Sequence, residues 1–312
     1  MHVAIAIVGY RNFGDISRCL TALAASCHSD FRVVICENGG LEALQRLVDR
    51  LPVRLPGGQT ITIVGAHGNV GYAAGVNLAI AQAPDADAWW VLNPDTQPEP
   101  GALAACVDRL EKGDCDAVGA AIHLPNKTVQ SYGGRWQVLL ARAVSLGHGV
   151  SALSAVNATH VERHQNFISG ACMLVTRRFV QITGPMSEDY FLYCEEVEWF
   201  LRSRALGMRL GFAPEARVLH QVGTTTGSGE SFNRMPKTPV YLNERNRILL
   251  TRDLFPALLP AVAAGALCVI AMRFARRGAW VQLGFALQGW IAGLRNQRGA
   301  PTWISDAPIK AL

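Results

Sequence analysis

The sequence predicts an α/β protein with a mainly parallel central sheet flanked by helices, followed by C-terminal apolar helices. Two observations support this prediction. Between residues 1 and 112, short β-branched apolar runs alternate with amphipathic segments, which is the pattern of βαβ units. In addition, half of the 312 residues are apolar and only 17% are charged, so the chain can bury a core and is not disordered.

Each element is predicted from its local pattern. A buried strand of a parallel sheet is a continuous apolar run, whereas a helix with one buried face repeats its apolar residues every three to four positions. The Gly-rich stretch 125–165 is only weakly periodic, so we expect a loop or hairpin there, and a mobile segment at 221–236. The predicted strands are 2–8, 31–36, 60–64, 88–92, 115–124, 167–176, 208–212 and 216–220, and the predicted helices are 15–26, 41–51, 71–83, 100–112 and 194–205.

The charge is distributed unevenly between two regions. Residues 245–312 hold nine basic and two acidic side chains, whereas residues 1–244 have a net charge of −2. A slightly negative body argues against nucleic-acid binding. We therefore predict an α/β domain over residues 1–237 and a helical, basic and apolar region over 238–312. The eight cysteines show no zinc-ligand spacing, and the N-terminus lacks the basic region of a signal peptide, so we expect a cytoplasmic protein.

Three predicted strands end in polar or Gly-rich loops, at 9–12, 37–40 and 93–96. Sheets of this class bind ligands beyond the carboxyl ends of their strands, so these loops are candidates for a binding site. Asp95 follows a buried strand and is well placed to hold a divalent cation that bridges a diphosphate. The alternative is an ordinary Asn-Pro turn in which Asp95 is solvated.

A cluster of three carboxylates, Glu195, Glu196 and Glu198, opens a predicted helix. One interpretation is a surface ion-pair set with the arginine one turn later, favoured by the helix dipole. The other is that Glu196 acts as a general base on a hydroxyl group. Tyr193 and Trp199 then flank the carboxylate, and their aromatic faces suit the apolar face of a sugar.

Two further features allow both a structural and a functional interpretation. His220 ends a strand just before a Gly/Thr-rich loop, so it is either a structural histidine or a metal ligand. Gly71 and Gly75 would let a helix start approach a phosphate or a sugar, but close packing of helix against sheet explains them equally well. This stretch is not the Rossmann fingerprint, and the sequence has no P-loop.

Eight short motifs follow one another along the chain, and their order is more specific than any one of them. They are VGYRN at 8–12, ENGG at 37–40, NVGYAAGVN at 69–77, LNPDT at 92–96, SGACML at 169–174, the block 188–202, PEARVLH at 214–220 and RN at 245–246. This ordered set, which covers essentially residues 1–250, resembles the inverting glycosyltransferases of family 2, specifically the rhamnosyltransferase-like branch.

The resemblance implies the GT-A fold, a nucleotide-diphospho-sugar donor and Mg²⁺ or Mn²⁺ as cofactor. It places Glu37 where the family contacts the nucleotide base, Asp95 and His220 where it binds metal or diphosphate, and Glu196 at the catalytic base. Glu37 and Glu196 stand where the family usually has Asp, which leaves the carboxylate in place on a longer arm. The other implied donor-side residues are Tyr10, Asn12, Asn69, Gly71, Gly75, Asn77 and Asn93, and the acceptor side is assigned to Tyr193, Glu195 and Trp199.

The implied reaction is a single displacement that inverts the sugar's anomeric carbon. The resemblance favours transfer of rhamnose from dTDP-rhamnose to a cell-surface glycan or lipid-linked acceptor. One alternative is a UDP- or GDP-sugar donor. Another is a non-catalytic binding protein that kept the fold. A nucleotidyltransferase is a third candidate, but it would carry a Gly-rich, basic loop after the first strand, and this chain does not.

The C-terminal region contains a run of 19 residues without a polar side chain, Leu254–Met272, which reaches the length of a membrane span. A second apolar stretch, 279–294, carries Trp280 and Trp290 near its ends. We favour an interfacial or re-entrant helical pair at the inner face of the cell membrane. The alternatives are a buried packing or homodimer pair, and a spanning hairpin, which the flanking arginines disfavour.

Overall fold

The computed structural model describes residues 1–221 and 231–305, and in them the chain has the predicted α/β architecture. Most of the segment predicted to be mobile, residues 222–230, lies outside the described residues. The strands are β1 (Val3–Gly9), β2 (Phe31–Glu37), β3 (Ile61–Gly65), β4 (Ala88–Leu92), β5 (Thr96–Pro98), β6 (Ala117–His123), β7 (Val129–Ser131), β8 (Gly134–Gln137), β9 (Arg142–Ser145), β10 (Cys172–Thr176) and β11 (Leu210–His220).

Nine of these strands form one central sheet, in the order β3-β2-β1-β4-β10-β6-β11-β5 with β7 added on β6, while β8 and β9 pair separately. The pairs of β1 with β2 and β4, of β2 with β3, and of β6 with β11 are parallel. Strand β10 is antiparallel to both of its neighbours. Consequently β1, β2, β4, β6 and β11 all point the same way, and their carboxyl ends meet at one edge.

The two short strands predicted at 208–212 and 216–220 are one strand, β11, with an interruption. Its pairing with β6 shifts register between Ala213 and Arg217. Pro214 and Glu215 lie in this interval, and a proline has no N–H to donate to a neighbouring strand. The strand therefore bulges rather than ends, and it still delivers His220 to the carboxyl edge of the sheet.

Helices cover both faces of the sheet. On β1, Ile5 and Ile7 belong to the same buried cluster as Ile16, whereas Ala4 and Ala6 belong to the cluster of the opposite face. This alternation is the period of two expected for a strand buried on both sides. The helices are α1 (Phe13–Ala24), α2 (Leu41–Arg50), α3 (Tyr72–Ala81), α4 (Ala102–Glu111), α5 (Ala158–His164), α6 (Arg177–Thr183), α7 (Glu195–Ala205), α8 (Lys237–Leu254), α9 (Leu259–Ala275), α10 (Trp280–Leu294) and α11 (Thr302–Ser305).

The weakly periodic stretch 125–165 contains β7 and the hairpin β8–β9, as the loop-or-hairpin prediction allows, and also the short helix α5. The side chain of Asn157 caps α5 by accepting the His160 N–H at 2.9 Å. Helix α8 falls in the region 238–312 that was predicted to be helical, but its bounds were not predicted. It is buried along most of its length, and its buried set includes Glu244, Arg245 and Asn246, so no apolar stripe marks it in the sequence.

The C-terminal helices pack against the rest of the chain, with α8 making the main contact with the sheet. Leu249 and Leu250 of α8 belong to the same buried cluster as one face of the sheet. Helix α10 lies so close to α8 that a Cβ on Gly289 would stand 2.2 Å from the Tyr241 carbonyl oxygen. The stretch Pro256–Ala275, with a mean hydropathy of 2.0, passes the length and composition test for a membrane span. The division at residues 237 and 238 stays a prediction.

Candidate active site

A cavity of about 640 Å³ opens at the carboxyl edge of the sheet. The loops after β1, β2 and β4 form one side of it, and the start of α7 with the end of β11 forms another. Its position agrees with the rule that such sheets bind ligands where their parallel strands end. Ten of the predicted site residues line it, namely Tyr10, Asn12, Asn69, Gly71, Asn93, Asp95, Tyr193, Glu195, Glu196 and His220.

Two asparagines shape the loops on the side predicted to bind the donor. The Asn12 Oδ1 atom accepts the Tyr10 N–H at 3.0 Å, and the Asn69 Oδ1 atom accepts the Gly71 N–H at 3.2 Å. Gly71 has a φ of +88°, and a Cβ there would stand 2.4 Å from the Phe191 carbonyl oxygen. Only glycine meets both conditions without strain, so Gly71 allows the 191–194 loop to approach the start of α3.

Asp95 and His220 come into direct contact on the floor of the cavity. The His220 Nε2 atom lies 3.1 Å from Asp95 Oδ1, and Nδ1 lies 2.7 Å from Gln130 Oε1. The three side chains that make these two contacts all line the cavity, and both Asp95 and His220 are buried. Gln130 therefore fixes the orientation of the imidazole ring, as partners of metal-binding histidines commonly do.

The chemistry of this pair fits a divalent cation. If Nδ1–H donates to Gln130, the Nε2 lone pair and the Asp95 carboxylate face each other, and a cation between them would satisfy both. Within residues 1–221 and 231–305 there is no group of three or more His, Cys, Asp or Glu side chains arranged to hold a metal. The chain would thus supply two ligands, and Mg²⁺ or Mn²⁺ would take the others from water and phosphate oxygens, as Mg²⁺ usually does.

Two adjacent carboxyl groups, Glu195 and Glu196, enter the cavity from the first turn of α7. Glu195 is 3% exposed, and its Oε2 atom has no hydrogen-bond partner among the described residues. Glu196 lies beside Gly170, whose added Cβ would be 3.5 Å from Glu196 Cγ. Burial raises the pKa of both carboxyl groups, and the charge of Glu196 raises the pKa of Glu195 further. Two adjacent buried carboxyl groups resist ionising together, so one can hold a proton while the other is free to accept one.

The third glutamate of the cluster behaves differently. Glu198 binds Arg202 through two contacts of 2.7 and 3.0 Å, and Arg202 also donates to the backbone carbonyls of Thr183 and Pro185. The ion-pair interpretation therefore holds for Glu198, which anchors α7 to the segment before it. It does not hold for Glu195 and Glu196, which line the cavity and form no ion pair within residues 1–221 and 231–305.

The sequence of the chain also matches a known protein family. The family model described as glycosyltransferase like family 2 matches residues 2–238 of the chain. The chain belongs to this family. It is an enzyme, a glycosyltransferase with the GT-A fold that uses a nucleotide-sugar donor, which confirms the resemblance and the fold predicted from the motifs.

Two curated relatives and one solved structure are similar to this glycosyltransferase. The N-acetylglucosaminyl-diphospho-decaprenol L-rhamnosyltransferase of Mycobacterium tuberculosis is 27% identical over 243 residues, 72% of this chain and 77% of that protein. The low-salt glycan biosynthesis hexosyltransferase of Haloferax volcanii is 21% identical over 96% of this chain and 93% of its own. A mannosyltransferase from Pyrobaculum calidifontis, solved with GDP-Man and Mn²⁺, superimposes with a TM-score of 0.57 at 13% identity, over 94% of this chain and 87% of that chain.

Trp199 of the glycosyltransferase does not lie on an acceptor face, so the sequence prediction is corrected here. It is fully buried, its Nε1 atom donates to the Gly184 carbonyl at 2.9 Å, and its ring meets Phe179 edge-on at 4.9 Å. The tryptophan that lines the cavity among the described residues is Trp303 of α11. Nothing in the sequence pattern marked Trp303, because residues 238–312 were assigned to a separate region.

Three residues predicted to bind the donor also lie outside the cavity lining. Gly75 packs α3 against β1, since a Cβ there would be 2.6 Å from Val8 Cγ1. Asn77 exchanges hydrogen bonds with the Met186 backbone. Glu37 is 1% exposed, and its Oε1 atom accepts the N–H groups of Arg11 and Gly39 at 2.9 and 2.7 Å. These three residues support the elements around the cavity through packing and backbone hydrogen bonds.

Other cavity residues of the glycosyltransferase were not assigned from the sequence. Asn38 donates to the Gly71 carbonyl at 2.8 Å, and the Tyr72 hydroxyl donates to the Gly170 carbonyl at 2.6 Å. Both lie in or beside the recognised motifs, which were the available signal. Gln130 had none, because it lies in the weakly periodic stretch 125–165.

Proposed function

We propose that this glycosyltransferase inverts the anomeric carbon of a hexosyl donor, with dTDP-rhamnose as the favoured donor, and transfers the sugar to a hydroxyl of a lipid-linked or cell-surface glycan acceptor. The observation that supports it most is the placement of Glu196 and of the Asp95–His220 pair in one cavity. One end of this cavity offers a proton acceptor, and the floor offers ligands for a cation and a diphosphate. A single displacement needs both.

In the proposed reaction, the Glu196 carboxylate takes the proton of the acceptor hydroxyl. The acceptor oxygen forms a bond to the anomeric carbon from the face opposite the leaving group, and the bond to the nucleotide diphosphate breaks. Asp95 and His220 would hold Mg²⁺ or Mn²⁺, which neutralises the charge of the leaving diphosphate when bound. In this proposal Glu195 holds the proton of the carboxyl pair while Glu196 is ionised, so Glu195 can donate a hydrogen bond.

The relatives support the choice of acceptor and donor. One is a rhamnosyltransferase that acts on a lipid diphosphate, and another is a glycan hexosyltransferase. We propose the same class of acceptor for this chain, with Tyr193 and Glu195 on the acceptor side and Tyr10, Asn12, Asn69, Gly71 and Asn93 on the donor side. A UDP- or GDP-sugar donor is the second candidate, because a solved GT-A relative holds GDP-Man.

A thermal-shift panel with Mn²⁺ tests the donor. We expect dTDP-rhamnose to raise the melting temperature of the protein more than UDP- or GDP-sugars do, because a ligand that binds only the folded state stabilises it by mass action. Each positive donor is then incubated with the protein and a polyprenyl-diphospho-sugar acceptor, and the anomeric configuration of the product is determined. Stabilisation by GDP-sugars alone would refute the rhamnose assignment, and a product with retained configuration would refute the mechanism.

We further propose that α9 and α10 lie on the cytoplasmic face of a membrane with anionic headgroups. Exposed apolar side chains stand at their junction, with Met272, Trp280 and Val281 each more than half exposed. Arg276 and Arg277 lie between the two helices and are exposed as well. Apolar residues bordered by arginines suit the interface of an anionic bilayer, where tryptophan is also enriched.

Vesicle flotation tests this contact. We expect the protein to float with phosphatidylglycerol-containing vesicles and to be released by high salt, since each nearby Lys or Arg contributes about 1 kcal/mol. The double variant Trp280→Ser/Val281→Ser should lose most of the floating fraction. Its matched control is Leu41→Ser/Val53→Ser, which changes two exposed apolar residues elsewhere. A wild-type protein that stays entirely in solution as a dimer would refute the membrane proposal and favour the dimerisation alternative.

A further inference from the structure

The loop that carries the catalytic segment into the cavity has an unfavourable backbone. Phe191, Tyr193 and Cys194 have φ values of +65°, +72° and +69°. Residues with a side chain avoid this left-handed region, and such conformations persist only where the surroundings determine them. The loop runs directly into α7, whose first residues are Glu195 and Glu196. Whatever holds the loop therefore also sets the position of the two carboxyl groups.

Asn246 of α8 is the residue that holds it. Its Nδ2 atom donates to three carbonyl oxygens of the loop, those of Tyr190 at 3.0 Å, Leu192 at 2.8 Å and Tyr193 at 2.7 Å. Asn246 is completely buried. Backbone carbonyls buried without a donor are costly, so one side-chain amide stabilises the turn in a place where no helix or strand satisfies these oxygens.

Arg245 fixes the direction of that amide. Its Nε atom donates to the Asn246 Oδ1 atom at 2.8 Å, which leaves the amide nitrogen facing the loop. The same guanidinium donates to the carbonyls of Tyr190 at 2.9 Å and Gly299 at 2.7 Å. Arg245 is 1% exposed. It therefore ties three segments together, namely α8, the loop at 190–194 and the chain that leads into α11.

The loop also contacts the side of the cavity assigned to the donor. The Phe191 carbonyl accepts the Tyr72 N–H at 2.8 Å and lies against Gly71. Phe191, Leu192 and Tyr193 themselves line the cavity. A shift of this loop would therefore move the proton acceptor relative to the bound donor, and a misplacement of about 1 Å can lower a rate about 100-fold.

We propose that Asn246 and Arg245 are positioning residues for the transfer reaction: from α8, they hold the 190–194 loop in its left-handed conformation and so set the distance between Glu196 and the reacting carbon. Helix α8, which the sequence assigns to the C-terminal region, is then a working part of the catalytic site. This inference rests on the proposed function, because it takes Glu196 as the base.

The experiment compares kcat and KM with folding in variants of α8. Asn246→Ala should lower kcat about 100-fold, while the full-length protein still binds the nucleotide diphosphate with Mn²⁺ as the wild type does. Asn246→Ser keeps one donor and should recover part of the lost kcat. The matched control is Asn243→Ala, since Asn243 donates at 2.7 Å to the Pro239 carbonyl on the same helix but does not contact the loop. It should keep the wild-type kcat.

A purely structural role would give a different pattern. Asn246→Ala would then lower the melting temperature, but the kcat per nucleotide-binding site would equal that of the wild type, and this result would overturn the inference. Failure of both Asn246 variants to fold would overturn it as well, because the pair would then serve the fold rather than the site. A wild-type protein that transfers no sugar from any donor would instead refute the proposed function.

Discussion

Replacing Glu196 with glutamine is expected to lower kcat by about 10²- to 10⁴-fold, the usual contribution of a general base. The change keeps the size of the side chain and removes only its ability to take a proton. Because Glu196 is proposed to act on the acceptor hydroxyl and is not one of the proposed cation ligands, donor affinity should stay close to that of the wild type. Rates of transfer and calorimetric titration with the nucleotide diphosphate measure the two effects separately.

The neighbouring carboxyl group provides the matched control. Burial and the charge of Glu196 raise the pKa of Glu195 well above its ordinary value, so Glu195 is protonated when Glu196 is ionised. Glutamine resembles a protonated carboxyl group, and Glu195→Gln should therefore retain most of the activity. If Glu196→Gln turns over at close to the wild-type rate, Glu196 is not the base. If Glu195→Gln alone loses transfer, the two roles are reversed.

The sequence predicted the strands and the loops of the site, but it did not predict which helix residues reach the cavity. Strands such as β4, predicted and observed at 88–92, follow from continuous apolar runs, because burial on both faces leaves no polar position. The ends of the strands then placed the loops of the site correctly. The sequence predicted that Trp199 flanks Glu196, but the spacing of two residues on a helix does not say whether each side chain lies at the surface or in the core.

Most of the corrections at the site concern how far along a helix a residue lies from the cavity. Helix α7 meets the cavity with its first turn, so Glu196 reaches the cavity while Trp199, one turn later, lies in the core against Phe179. Helix α3 is similar: Gly71 lines the cavity at its start, whereas Gly75 packs on β1. A motif on a helix that enters end-on therefore contributes its first residues to the site, and its later residues to packing.

The C-terminal region was harder to place for a different reason. The sequence showed its apolar content and charge, from which helices follow, but the residues that join it to the site are polar and buried. Asn246 and Arg245 bond to backbone carbonyls 53 or more positions away in the chain, and backbone groups carry no sequence signal. Such contacts become visible only once the loop conformation is known.

Asp95 is expected to control donor binding through the metal. Asp95→Asn keeps the shape of the side chain but removes the negative charge. We expect the affinity for the nucleotide diphosphate in Mn²⁺ to fall by at least about 10- to 100-fold. Changing a residue that only hydrogen-bonds to a metal ligand already causes a loss of this size. Titration with and without a chelator measures it. In the chelator, wild type and variant should bind equally weakly, because the difference between them requires the cation.

Changes at the residues around Asp95 should weaken metal-dependent binding to different extents. His220→Ala removes the second ligand and should weaken metal-dependent binding to a similar extent, whereas Gln130→Ala only frees the imidazole ring to rotate and should cost less. Asp108→Asn, an exposed carboxylate on α4, is the control and should leave binding unchanged. An Asp95→Asn protein that binds the nucleotide diphosphate in Mn²⁺ as tightly as the wild type would exclude Asp95 as a ligand, and the contact of His220 with Asp95 would then be a structural hydrogen bond alone.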